Sequence, residues 1–369
     1  MPRVSVVMPA YNRASYIGEA IQSVLDQTYP DFELIAVDDG SADNTAEVVA
    51  RFKDNRITYI HQANAGETAA RNTGIAHASG ELLGFLDSDD RMLPNALQVM
   101  AGLLDARPDI DVAYGWFYMM DEDGLPINEV HGCITGDVPP QLDRPWPGIN
   151  VPLSGTTLEG KILTDLILEP EGTLAIGGAV VRRACVEAIN GFDPTRKHQG
   201  HWDFYLRLAR GGRAFACTRQ GVMVVRIHSG GAHKNSAAMY ASRLDILERM
   251  FGDAELQEVL APVRPLAYFK THHAFMRKFY FTRNWENGAK ALNEAMKCAP
   301  LSEEDIRFVA DMVSHLALSN EAADPVAFVN RALVSITDQP ATLRIRDRAL
   351  GILDMELARR AHAESTAGG

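Results

Sequence analysis

Through residues 1–90, short apolar runs alternate with segments whose apolar positions recur every three or four residues. VSVVMP (4–9), ELIAVDD (33–39), RITYI (56–60) and ELLGFLD (81–87) are apolar or β-branched and predict strands. Between them, Ile17, Ala20, Ile21, Val24 and Leu25 keep helical spacing, and Ser15 is placed to cap that helix. Thr45 to Phe52 predicts a second helix, with Asp43 or Asn44 as cap and Glu47 in its first turn. Gly66 to Ala78 is a helix pattern built of small residues. Strands alternating with helices imply a parallel sheet covered on both faces. In such sheets ligands bind beyond the carboxyl ends of the strands. Asp38 and Asp39 end the second strand and Asp87 to Asp90 follow the fourth, so the two acid clusters are expected at one crevice.

Further along, a helix is expected over 94–105, a buried strand over VAYGWFYMM (112–120) and a turn at DEDG (121–124). Residues 132–160 are rich in Gly and Pro and read as a long irregular loop. LAIGGAVVRR (174–183) predicts a strand, WDFYLRLARGG (202–212) a helix ending at its Gly pair, and VMVVRIH (222–228) a last strand. From about 240 the pattern turns helical. Residues 267–300 predict two antiparallel helices closed by Pro300, with a faint likeness to a tetratricopeptide unit but no clean second copy. Residues 341–360 form another amphipathic pattern, and HAESTAGG (362–369) is expected to be disordered. The chain divides into an α/β unit, 1–235, and an α-helical region, 236–369.

A length of 369 residues fits two domains. Hydrophobic residues at 46% and charged residues at 23% are an ordinary soluble composition. The net charge of −12 argues against nucleic acid as the main partner. No apolar run approaches the roughly 20 residues that span a bilayer, and the opening MPRVSVVMPAYN predicts no secretory leader. Cys133, Cys185, Cys217 and Cys298 form no CxxC pair, which points to a reduced, cytoplasmic protein without structural zinc.

Candidate chemistry centres on the acids. Asp87, Asp89 and Asp90 repel one another, and burial would sharpen that repulsion, so a cation is expected there. Their oxygens suit Mg²⁺ or Mn²⁺. The plainer reading is an acidic loop in which Asp90 starts the following helix. VDDGSADNT (37–45) reads first as turn chemistry, although Asp39 at a strand end could also accept the N3–H of a uracil. No GxGxxG follows the first strand, and no GxxxxGK[ST] or G-x-S-x-G occurs.

Two long stretches, VSVVMPAYNRASYIGEAIQSVLDQTYPDFELIAVDDGSADNT and NAGETAARNTGIAHASGELLGFLDSDD, closely resemble the family 2 glycosyltransferases of GT-A fold in order and spacing. The resemblance covers roughly the first 230 residues and leaves the helical C-terminus outside. It implies a GT-A type, mostly parallel nucleotide-sugar-binding sheet flanked by helices, with an α-helical C-terminal region beside it. It implies a metal-dependent, inverting transfer from a nucleotide-sugar, with UDP-sugar favoured, to a glycan or lipid-linked saccharide acceptor in surface polysaccharide or glycoconjugate synthesis. Such acceptors lie at the inner membrane face, so peripheral membrane association is expected of a cytoplasmic enzyme. By the same resemblance Pro9, Ala10, Tyr11 and Asn12 would line the nucleotide, Asp39 would hold the base and Arg71 would reach the nucleotide. Asp87-Ser88-Asp89 matches the DxD motif, extended by Asp90, with Mn²⁺ or Mg²⁺ bridging the diphosphate. His228, in RIHSGG, would contact diphosphate or metal.

One departure stands out. Members of the family this chain resembles commonly carry Glu-Asp just before the WDxxLRL-like helix, and that Asp is the base. Here the position reads Gly200-His201. Either His201 is the base, or Asp203 is after a shift of register, or the chain is a catalytically inactive nucleotide- or sugar-binding module. Trp202 is either core packing or an acceptor platform. A phosphatase reading of DSDD is disfavoured, because the motif follows the fourth strand and Arg91 comes next.

Overall fold

A computed structural model describes residues 1–131, 156–157, 162–168, 174–228, 235–282, 284–298, 303–318, 324–333 and 340–367. The chain divides into two compact units, Met1–Lys234 and Asn235–Gly369.

The first unit opens β1 (Val4–Ala10), α1 (Ile17–Leu25), β2 (Phe32–Asp38), α2 (Thr45–Val49), β3 (Ile57–His61), α3 (Glu67–His77) and β4 (Leu82–Phe85). A two-residue β5 (Arg91–Met92), α4 (Ala96–Ala106), β6 (Val112–Met120) and β7 (Pro126–His131) follow. Then come β8 (Thr156–Thr157), α5 (Ile162–Leu168), β9 (Ala179–Arg182), α6 (Arg183–Ala188), α7 (Gly200–Arg210) and β10 (Phe215–Arg226). The sheet runs β3-β2-β1-β4-β9-β6-β10-β5, with β7 on β6 and β8 on β10. β3, β2, β1 and β4 are mutually parallel, and β6 is parallel to β10. β9 is antiparallel to both β4 and β6, so the sheet is mixed. The expectation of a mostly parallel sheet holds for its N-terminal half.

The strand pattern follows from burial on both faces. Val4, Val6 and Met8 join the core that includes Ile17, Ile21, Leu97 and Met100 of α1 and α4. Val7 points to the other face, where α3 lies so close that a Cβ on Gly74 would sit 2.3 Å from Val7 Cγ1. That close approach fixes α3, and with it Arg71, against β1.

Several boundaries differ from expectation. Ser15 does not cap α1, whose N-cap is Tyr16 with no side-chain cap bond. Asp90 does not start α4, whose N-cap is Asn95. Ile176–Gly178 is a 3₁₀ turn, and only the four residues after it form β9. β10 begins at Phe215, well before the expected Val222. α7 begins at Gly200 and so takes His201 into its first turn. Most of the expected loop 132–160, Cys133 with it, lies outside the described residues. Cys185, Cys217 and Cys298 are free thiols.

The second unit is helical: α8 (Ser236–Gly252), α9 (Gln257–Leu260), α10 (Arg264–Phe281), α11 (Trp285–Cys298), α12 (Glu303–Leu318), α13 (Pro325–Leu333) and α14 (Pro340–Ala367). α10 and α11 pack together as expected, although Pro300 lies outside the described residues. The core joins Phe275, Phe279, Leu292, Val309, Val313 and Ile345. α14 runs on to Ala367, so most of the tail expected to be disordered is helical. Its alanines and Glu364 are good helix formers. Among the described residues no helix is long and apolar enough to cross a membrane.

Candidate active site

The carboxyl ends of β1, β2 and β4 meet at one edge, because β1 pairs with both of the others. Pro9 and Ala10 end β1, and Tyr11 beyond them is about half exposed, at 48%. Asn12 takes φ 52°, a left-handed conformation in which Asn is several-fold enriched. The turn is locked to the β2–α2 loop by reciprocal bonds. The Asn12 amide donates to Ser41 Oγ (2.9 Å), the Ala42 amide to Asn12 Oδ1 (2.8 Å) and the Ala14 amide to Asp43 Oδ2 (3.0 Å). Burial pushes the Asp43 carboxyl up, but hydrogen bonds from Thr45 and Ala14 outweigh it and leave it below the ordinary range.

Asp38 and Asp39 are both buried. Asp38 accepts from the Ser41 amide (2.8 Å) and the Tyr59 hydroxyl (2.7 Å). Asp39 accepts from Gln62 Nε2 (2.7 Å) and from the amides of Ala65 (2.9 Å) and Gly66 (2.8 Å). A carboxylate has about four acceptor positions, so Asp39 retains roughly one. Its main structural task is to tie β2 to the start of α3.

Arg71 of α3 is buried beneath the acid cluster. Its Nη2 lies 2.5 Å from Asp87 Oδ1, and its Nη1 pairs with Glu67. The guanidinium also lies over the Phe192 ring, 5.3 Å from its centroid. Asp87 is half-buried. Burial raises its carboxyl to about 6, Arg71 opposes that shift, and Glu67 and Asp89 add to it. Ser88 is buried between the acids. Asp89 Oδ2 meets Arg13 Nε at 3.2 Å and His228 Nε2 at 3.0 Å.

Asp90 behaves differently. It is buried, and its Oδ1 accepts the Arg226 amide at 2.9 Å. Burial, with Asp89 and Asp87 alongside, drives its carboxyl well above the ordinary range. Through that bond Asp90, expected as a metal ligand, ties the acid loop to β10. Arg226 completes the tie: its Nε donates to the Asp89 carbonyl (3.1 Å), its Nη1 to the Glu122 carbonyl (2.8 Å) and its Nη2 to Glu19 (2.5 Å). Tyr16 packs between Arg226 and His228, at 5.0 Å and 4.9 Å.

Among the described residues, no group of three or more His, Cys, Asp or Glu side chains forms a closed metal cage. Asp87 Oδ2 and Asp89 Oδ1 nevertheless carry no hydrogen bond among those residues, while the second oxygen of each is pinned by an arginine. Two oriented hard oxygens fit Mg²⁺ or Mn²⁺, ions that complete their coordination with water and substrate phosphates.

The far side of the site is formed by α7. Gly200 faces α3 so closely that a Cβ would lie 2.5 Å from Thr68 Cγ2. His201 is half-buried in the first turn. Trp202, read from the sequence as core packing or an acceptor platform, is buried and donates from Nε1 to the Leu166 carbonyl at 2.9 Å, as a packed side chain does. Asp203 is buried, with Oδ2 held by Arg207 Nε at 2.7 Å. That contact, one helical turn on, braces α7.

Arg13, Glu19, Glu67 and Arg226 were not singled out from the sequence. Glu67 and Arg71 stand at i, i+4, a readable helix pair. Arg13 directly follows PAYN, and Arg226 lies two residues before His228.

Residues 5–145 match the model for glycosyl transferase family 2. Over 123 residues the chain is 38% identical to Escherichia coli UDP-Glc:alpha-D-GlcNAc-diphosphoundecaprenol beta-1,3-glucosyltransferase WfgD, covering 33% of this chain and 48% of the relative. The chain spans between 17% and 48% of the length of such curated relatives. The fold is shared with S. aureus TarS at TM-score 0.55 and 18% identity, covering 95% of this chain and 91% of that one. TarS has also been solved in complex with UDP-GlcNAc and with UDP. Pyrobaculum calidifontis mannosyltransferase PcManGT, in complex with GDP-Man and Mn²⁺, aligns at TM-score 0.53 and 19% identity, covering 95% and 87%.

Proposed function

We infer, from a chain whose N-terminal unit carries a family 2 glycosyltransferase domain, that this protein transfers a sugar with inversion from a nucleotide-sugar to a saccharide or lipid-linked glycan. One observation carries the reading: among the described residues, Asp87 and Asp89 each present an oxygen without a hydrogen bond beside the Tyr11–Asn12 turn, at the ends of the parallel strands. Tyr11 offers an open aromatic face for a base, and the last acceptor position of Asp39 suits the N3–H of uracil. A UDP-sugar is therefore the favoured donor, a choice supported by the UDP-GlcNAc complex of TarS. Asp87 and Asp89 would hold Mn²⁺ or Mg²⁺, which supplies positive charge against the leaving diphosphate. Arg71 and His228 keep those two carboxylates oriented. His201 is the base that takes the proton of the acceptor hydroxyl. A neutral imidazole is suited to that task near neutral pH. The name of WfgD, a glucosyltransferase acting on a diphosphoundecaprenol-linked sugar, supports a lipid-linked acceptor and peripheral work at the inner membrane face from the cytoplasm.

The occupied carboxylate of Asp203 favours a second reading, a nucleotide-binding module without turnover. Nucleotide release from a panel of UDP-, dTDP- and GDP-sugars, with Mn²⁺ and with EDTA, separates the two. The enzyme reading expects Mn²⁺-dependent UDP release that His201→Ala abolishes while UDP binding persists. Binding without release from any donor would favour the module. Release unaffected by His201→Ala would reject that residue as the base.

A further inference from the structure

Three arginines hold the acid cluster, and they differ in exposure. The side chains of Arg71 and Arg226 are 1% and 2% exposed, whereas that of Arg13 is 27% exposed. Arg13 is also the most loosely held. Its bonds to Asp89 Oδ2 and to the Tyr11 and Asn12 carbonyls are all 3.2 Å, at the long end of the hydrogen-bond range. Asp89 would not lose its orientation without Arg13, because His228 Nε2 holds the same oxygen at 3.0 Å. The opposite oxygen, Oδ1, has no partner among the described residues.

We propose that Arg13 is an internal stand-in cation: it neutralises Asp89 in the nucleotide-free protein and thereby sets how tightly the acid pair takes a divalent ion. This inference rests on the donor-site reading above. The physics is competition. Asp89 stands beside two other carboxyl groups, and an uncompensated negative charge there is unfavourable. A guanidinium on Oδ2 relieves that repulsion, but it also opposes a second cation arriving at Oδ1. Arg13 bonds to the same turn that carries Tyr11 and Asn12. Release of Asp89 by Arg13 is therefore coupled to the residues proposed to meet the nucleotide. Arg13 is a positioning residue that acts through Asp89.

The test is a titration of the full chain with Mn²⁺ alone, without nucleotide, read by loss of the free-ion electron paramagnetic resonance signal. Arg13→Met keeps the aliphatic stem and removes the charge. It is expected to bind Mn²⁺ at least about fivefold tighter than the wild type. Arg13→Lys keeps a charge on a flexible stem and should stay within about twofold of the wild type. Asp89→Asn should lose the site in either background. Thermal unfolding without metal checks that each variant is folded, and Arg13→Gln serves if Arg13→Met is not. Equal or weaker Mn²⁺ binding by the charge-removed variant overturns the proposal and makes Arg13 a mere support of Asp89. Absence of Mn²⁺ binding in every protein also overturns it. A UDP-dependent rise in unfolding temperature would then show that the donor site itself survives.

Discussion

The two units bury polar groups in different settings. In Met1–Lys234, fully buried Arg71 and Arg226 carry charge into the interior and meet carboxylates there. In Asn235–Gly369, the Tyr240 hydroxyl lies 2.5 Å from Nδ1 of buried His272, inside an aromatic setting that includes Phe275 and Phe279. Burial lowers the His272 imidazole to about 4, so it is neutral at ordinary pH. A buried ion pair is a weak source of stability compared with good apolar packing. In the first unit it stands beside two carboxylate oxygens that carry no hydrogen bond among the described residues, and the donor-site proposal rests on that. The second unit also buries one arginine, Arg243, but it sets pairs such as Lys290–Glu286 on the surface, and the core built around Phe275, Phe279 and Leu292 is apolar.

The sharpest way to break this contrast is Arg71→Met. It leaves half-buried Asp87 and exposed Glu67 without their cation and should cost about 3 kcal/mol, the low end for breaking a buried pair because water reaches both carboxylates, read as a fall in the first unit's unfolding transition. An unchanged transition would mean the pair is not buried in the folded protein. Next is Asp89→Asn, which retains the shape and removes the charge. Mn²⁺-dependent nucleotide release should fall about 100-fold, equivalent to roughly 2.7 kcal/mol, with the unfolding transition little changed. Gly74→Ala should destabilise by about 2 kcal/mol, because its Cβ would meet Val7 Cγ1. Adding Val7→Ala should recover part of that loss, and a double variant no better than the single one would remove the contact from the account.

The smallest effect lies in the second unit. Unfolded histidine titrates near 6.5 and folded His272 at about 4, so between those values the unfolded chain binds a proton that the folded chain refuses. Stability conferred by neutral His272 is complete above pH 6.5 and is lost progressively as pH falls towards 4. Between pH 7 and pH 5.5 the loss is about 1 kcal/mol. His272→Gln should abolish that slope, and a variant with the wild-type pH dependence would assign it elsewhere.

Legibility in the sequence tracked the range of the interaction. Val4–Ala10, Phe32–Asp38 and Leu82–Phe85 were readable because strands buried on both faces must be apolar throughout. The meeting of the two acid clusters followed from topology alone. β5, β7 and the antiparallel placement of β9 were not readable, since pairing partners leave no local mark. Asp90 and Arg226 are 136 positions apart, and nothing in DSDDR announces that Asp90 accepts a distant amide. Trp202 and Asp203 carried a functional expectation because they neighbour the departure at Gly200-His201. Their contacts with Leu166 and Arg207 are tertiary and helical packing respectively.

The most direct test of the donor site is calorimetric titration of UDP into the full chain, with Mn²⁺ and again with EDTA. The account predicts binding that depends on Mn²⁺ in the wild type and is lost in Asp87→Asn and Asp89→Asn. UDP binding that is equally tight with EDTA, or unchanged in both variants, would contradict the assignment of Asp87 and Asp89 as the metal–diphosphate site.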